Sequence, residues 1–133
     1  MIPNAFIQAW RSSAPWPDAR QVEQDLVICR ALCDLFNATA LKGKIAFRGG
    51  TAIHKLLFKQ PLRYSEDIDL VQIEPEPIGA SVDAVRDSLS WLGKCKRDQA
   101  GHSMHMVFRF TPEADIGAKF KTEGRSKDRK SVV

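Results

Sequence analysis

Two adjacent glycines, Gly49-Gly50, directly follow the apolar run Ile45-Ala46-Phe47 and constrain this chain more than any other feature. An apolar run that ends in Gly-Gly and passes into an amphipathic stretch reads as a strand-to-helix turn, because glycine lets the backbone approach another group closely. Such a turn aims free backbone N–H groups at whatever lies in front of the helix, and phosphate suits that position. Thr51 follows, and the spacing predicts a helix over Thr51–Phe58. Gln60–Glu66 then reads as a loop, and Asp67–Ile73 as a second strand that begins Asp67-Ile68-Asp69. Residues i and i+2 of a strand share a face, so the two carboxylates project the same way. A phosphate turn beside paired hard oxygens points to a nucleotide held by its phosphates next to a divalent metal.

Taken singly, these pieces say little. Gly-Gly is usually only a turn, and Asp-x-Asp is usually a solvated face. Lys55 is more often a solvated helix residue, and Arg63 serves as readily in a structural ion pair. The combination in this order is far more specific. It assigns Gly49, Gly50 and the Thr51 hydroxyl to the β- and γ-phosphates of a nucleoside triphosphate, with Lys55 adding charge one turn into the helix. Arg63 contacts phosphate or an acceptor, Ser65 caps the loop, and Asp67 and Asp69 hold Mg²⁺. His54 reads as a surface or core histidine rather than a base. His102 and His105 lie near a turn without a third ligand, which argues against zinc.

The rest of the chain frames this stretch. Ile2–Trp10 reads as a short amphipathic helix and Arg11–Pro17 as a break. Asp18 caps a longer helix to Asn37, with Val22, Leu26, Cys29, Ala31, Leu32, Cys33, Leu35 and Phe36 as its apolar side. Glu74-Pro75-Glu76-Pro77 stops the second strand. Ile78–Leu92 is a helix with the stripe Val82, Val85, Leu89 and Leu92, capped by Gly93. Lys94–Arg97 reads as a short edge strand, Asp98–Ser103 as a turn, Met104–Phe110 as a strand and Ala118–Glu123 as another. The fold class is α/β (α+β): a small mixed β-sheet with flanking helices in one domain over residues 1–123.

Composition narrows the class further. No apolar run reaches the length of a membrane span, and Met1-Ile2-Pro3-Asn4 opens no secretory signal, so a cytoplasmic protein is expected. Cys29, Cys33 and Cys95 are an odd number without nearby ligands and read as buried, reduced thiols. Lys119, Lys121, Arg125, Lys127, Arg129 and Lys130 against Glu123 and Asp128 account for the whole formal charge of +4. The basic balance therefore belongs to the end of the chain and names no nucleic-acid partner. Gly124–Val133 is polar and patternless and reads as a non-native or disordered tail on a chain truncated at its C-terminus.

Arg48-Gly49-Gly50-Thr51-Ala52 followed by Arg63-Tyr64-Ser65-Glu66-Asp67-Ile68-Asp69-Leu70 closely resembles the AbiEii/AbiGii nucleotidyltransferase toxins of the polymerase-β-like superfamily. The resemblance implies that Gly49, Gly50 and Thr51 bind the triphosphate and that Asp67 and Asp69 bind the metal. It also implies a third carboxylate on a later strand, for which Glu123 in Lys119-Phe120-Lys121-Thr122-Glu123 is the candidate. The implied function is Mg²⁺-dependent transfer of a nucleotide from an NTP to an acceptor hydroxyl, RNA or tRNA among the acceptors. The implied setting is a type IV toxin–antitoxin or abortive-infection (phage-defence) system, with a cognate antitoxin as partner. The alternative is a non-catalytic nucleotide-binding or protein-interaction module.

Overall fold

The computed structural model describes residues 2–60, 62–113 and 129–132. Helix α1 (Asn4–Trp10) buries Ile7 against helix α2 (Ala19–Asn37). Asp18 starts α2: its carboxylate accepts the Arg20 N–H at 2.8 Å and satisfies one donor that a helix start leaves unpaired.

The buried stripe of α2 differs from the expected one. Val27 and Ile28 are buried, while Cys33 and Phe36 are exposed. Apolar residues occur around much of this helix, so periodicity alone does not choose the inward face. Three successive polar residues, Glu23, Gln24 and Asp25, also face inward. The cysteines are likewise less enclosed than expected: all three are free, with Cys29 and Cys95 half-buried and Cys33 exposed.

Strand β1 (Ile45–Arg48) pairs antiparallel with β2 (Asp69–Gln72), from Ile45 opposite Gln72 to Arg48 opposite Asp69. Helix α3 (Gly49–Leu57) joins them. It buries Thr51 and Ala52 and leaves Ile53, Leu56 and Leu57 exposed. Helix α4 (Gly79–Ser88) continues into a 3₁₀ turn over Ser90–Leu92, and the expected stripe of Val82, Val85, Leu89 and Leu92 is buried. Gly93 ends the turn at φ +97°.

Strands β3 (Cys95–Ala100) and β4 (Ser103–Phe110) form a hairpin in which Ala100 pairs with Ser103. Asp98–Ala100, expected in a turn, therefore lies in a strand. Ladder bonds to β4 hold these residues extended, and Gly101 at φ +59° lets a two-residue loop close. Strand β5 (Arg129–Val132) pairs antiparallel with β4, so part of the segment read as a tail lies in a sheet. Backbone pairing of this kind needs no side-chain pattern, which is why composition did not reveal it. The expected strand Ala118–Glu123, with Glu123, lies outside the described residues.

The class is α+β with flanking helices. Among the described residues the strands form two antiparallel sheets, β1-β2 and β3-β4-β5, rather than one mixed sheet. One core joins α1, α2 and α4 to the inner face of β4, where Met106, Phe108 and Phe110 are buried. Each fully buried large apolar side chain contributes about 1.5–3 kcal/mol. Ile68, at 1% exposure, belongs to the same core and anchors the residues on either side of it. No helix among the described residues is long and apolar enough to cross a membrane.

Candidate nucleotide site

The antiparallel pairing of β1 with β2 determines what the glycine turn faces. Arg48 lies opposite Asp69, so the next residue, Gly49, meets the Asp69 side chain. Gly49 has φ +83°, and a Cβ there would sit 2.5 Å from Asp69 Oδ2. Backbone conformation and close approach both require glycine at this position. Gly50 has open space around it and lines the cleft.

Thr51 is buried, and its hydroxyl donates to the main-chain carbonyl of Asp67 at 3.0 Å. The single hydroxyl proton is thus committed to the protein, which leaves the backbone N–H of Thr51, rather than its side chain, as the group able to donate into the cleft. The first N–H groups of α3 have no intrahelical acceptor and carry the positive end of the helix dipole.

Asp67 and Asp69 flank the buried Ile68, and both are exposed. Alternation along the strand sends the apolar side chain to the core and both carboxylates outward. They line a cleft of about 460 Å³ together with Gly50, Thr51 and His54 from α3 and Arg63, Tyr64, Ser65 and Glu66 from the preceding loop. That loop is tied to the N-terminal helices. Gln24 Nε2 donates to the Glu66 carbonyl at 3.2 Å, and Trp16 packs edge-on against Tyr64 with ring centroids 5.8 Å apart. Arg63 is exposed, and its guanidinium has no ion pair among the described residues.

Of the residues singled out from the sequence, Gly50, Thr51, Arg63, Ser65, Asp67 and Asp69 meet in this cleft, and Gly49 supports it from behind. Lys55 does not line it. Its ammonium donates to Asp25 Oδ1 at 2.9 Å and Cys29 Sγ at 3.2 Å on α2. Trp10 Nε1 donates to the other Asp25 oxygen at 2.7 Å, so one carboxylate ties α1, α2 and α3 together. Burial alone would lower the Lys55 pKa. The hydrogen bond to Asp25 and the negative charges of Cys29 and Asp25 outweigh it and hold the pKa above the ordinary lysine value. Burial raises the Cys29 thiol, against the pull of Lys55.

His54, read from the sequence as a surface or core histidine, lines the cleft. It stands one turn after Gly50, stacks on Phe58 with ring centroids 5.6 Å apart, and buries Nδ1 without a partner among the described residues. Its spacing of four from Gly50 was the available signal. Among the described residues no three His, Cys, Asp or Glu side chains gather as a ready-made metal centre. Two carboxylates in an open cleft suit a cation that takes its remaining ligands from phosphate and water.

Residues 30–126 match the family model described as nucleotidyl transferase AbiEii toxin, type IV TA system. No curated protein and no solved structure matches the chain.

Proposed function

The chain belongs to the AbiEii nucleotidyl transferase toxin family of type IV toxin–antitoxin systems, and from that premise we propose that it moves a nucleotide from an NTP to an acceptor hydroxyl with Mg²⁺. One observation carries this reading: the α3 N-terminus, the exposed Arg63 and both carboxylates converge on one cleft. The donor set supports the cation. Asp67 and Asp69 offer exposed hard oxygens, and Mg²⁺ typically takes one or two carboxylates plus phosphate oxygens and water. Bound there, Mg²⁺ supplies charge neutralisation for the transferring phosphoryl group. Glu123 is the proposed third carboxylate.

The protein's own groups divide the remaining work. Backbone N–H groups of Gly50 and Thr51 hold terminal phosphates, and Arg63 offsets their charge. Thr51 Oγ1 and Gln24 hold the backbone on either side of the Glu66–Asp67 bond, which keeps the carboxylates in register with the glycine turn. Ser65 lines the loop wall beside Arg63. A cognate antitoxin is the partner that the family implies. RNA, tRNA included, is the proposed acceptor, and the cytoplasm the proposed location.

Transfer of radiolabelled NTP onto total RNA tests the assignment. Asp67→Ala combined with Asp69→Ala should lower transfer by about 10²-fold or more. Undiminished transfer by the double variant would sink the catalytic role of the pair.

A further inference from the structure

Among the described residues that line the nucleotide cleft, Arg63 is the only lysine or arginine, against Glu66, Asp67 and Asp69. Lys55, expected there to add charge, is turned instead to Asp25 and Cys29 on α2. One guanidinium and a pair of backbone N–H groups leave most oxygens of a triphosphate without a protein donor. The one other side chain in the lining with a nitrogen is His54.

His54 follows Gly50 by one turn, on the same face of α3. Helix side chains lean toward the N-terminus, so the imidazole lies back over the turn whose N–H groups are unpaired. Phe58 stacks on the ring with 28° between the planes and fixes its tilt. Nδ1 is buried without a partner among the described residues, which leaves Nε2 as the nitrogen that can serve the cleft. A neutral imidazole has one donor and one acceptor nitrogen. With an anion in the cleft, the proton belongs on Nε2 and the Nδ1 lone pair stays against the protein. A buried nitrogen without a partner costs stability, and a phenylalanine would fill the same space without that cost.

We propose that His54 is a phosphate-binding residue: Nε2–H donates to the terminal phosphate of the NTP and makes the cleft prefer three phosphates to two. This deepens the nucleotidyltransferase reading above, on which it rests, by naming a residue that selects the substrate. The direction follows from the fold. Asp69 abuts Gly49 and the Asp67 carbonyl is held by Thr51, so both carboxylates sit at the start of α3. His54 stands a turn, about 5 Å, further along the helix, on the side away from the reacting phosphorus. A contact there is made alike before and during transfer, so it acts on KM and not on kcat.

His54→Phe keeps the ring and removes the donor, while His54→Gln restores an N–H close to the position of Nε2. Binding of fluorescent nucleoside triphosphates and the matching diphosphates, for each of the four bases, is measured with Mg²⁺ by anisotropy. Wild type should bind its triphosphate about tenfold more tightly than the diphosphate. His54→Phe should lose most of that preference by weakening triphosphate binding alone, and His54→Gln should recover much of it. His54→Phe should also melt no lower than wild type, because it buries no unpaired nitrogen. In the transfer assay it should raise KM for NTP and leave kcat unchanged. A wild-type preference for triphosphate in His54→Phe overturns the proposal, as does an equal loss of both nucleotides, which would mark a structural role. A His54-dependent preference without transfer of label to any acceptor would refute the transferase reading and leave the contact standing.

Discussion

The Thr51 hydroxyl donates a 3.0 Å hydrogen bond to the main-chain carbonyl of Asp67. It ties the first turn of α3 to the start of the carboxylate pair, so the helix end proposed to face phosphate and the strand proposed to hold the cation are joined by a direct bond. Gly49 closes the same junction from the other side, packed against Asp69.

Thr51→Val keeps the shape of the side chain and removes the donor. The part-buried Asp67 carbonyl then loses its partner, which costs about 1–3 kcal/mol. Urea denaturation should show that loss, and nucleotide transfer should fall with it. Thr51→Ser, which keeps the hydroxyl, should stay close to wild type on both measures. Indistinguishable Val and Ser variants would remove this bond from the account.

Gly49→Ala and Gly50→Ala should separate sharply. At Gly49 an alanine must hold φ +83°, a strain of about 1–2 kcal/mol, and its Cβ would displace the Asp69 carboxylate. Mg²⁺-dependent NTP binding should weaken about tenfold or more, equivalent to about 1.4 kcal/mol. At Gly50 a Cβ meets nothing within 4 Å and φ is not positive, so the fold should keep its stability. Thermal denaturation and NTP titration of the two variants check this contrast, and equal behaviour would contradict it.

Asp25 and Lys55 form the next testable pair, with side chains 8% and 19% exposed. Asp25→Ala strands a half-buried ammonium and the Trp10 indole, and should cost about 3–5 kcal/mol. Lys55→Met should destabilise less, because it leaves Asp25 its bond from Trp10, and it should not change NTP affinity while the protein stays folded. The pH dependence has a definite sign. Folding raises the Lys55 pKa, so this contribution is complete below the ordinary lysine value of 10.5 and is lost as pH climbs through the folded value. The stability gap between wild type and Lys55→Met should be flat from pH 7 to 9 and shrink above about pH 10.5. A gap that widens at alkaline pH would reverse the assignment.

Much of the site was legible because its parts are local. The turn at Gly49-Gly50, the helix after it and the outward pair around Ile68 follow from glycine conformation, helix capacity and strand alternation within about twenty residues. The Asp18 cap and the Val82, Val85, Leu89, Leu92 stripe were legible for the same reason, since capping and 3.6-residue periodicity are short-range.

What stayed hidden depends on contacts between distant segments. Nothing within α2 marks Glu23, Gln24 and Asp25 as inward-facing. They are buried because each meets a partner from elsewhere: the Glu113 N–H for Glu23, the Glu66 carbonyl for Gln24, and Trp10 with Lys55 for Asp25. Lys55 looked like a phosphate ligand because helical spacing gives its distance from the glycines but not which neighbour its face meets. The extension of β3 through Ala100 and the strand β5 depend on backbone pairing that side-chain pattern does not encode. The Gly49-Gly50-Thr51 and Asp67-Ile68-Asp69 motifs thus carried the proposed nucleotide-and-metal chemistry in residue order alone. Antiparallel pairing of Arg48 with Asp69, a long-range contact, decided that the two motifs meet at one cleft.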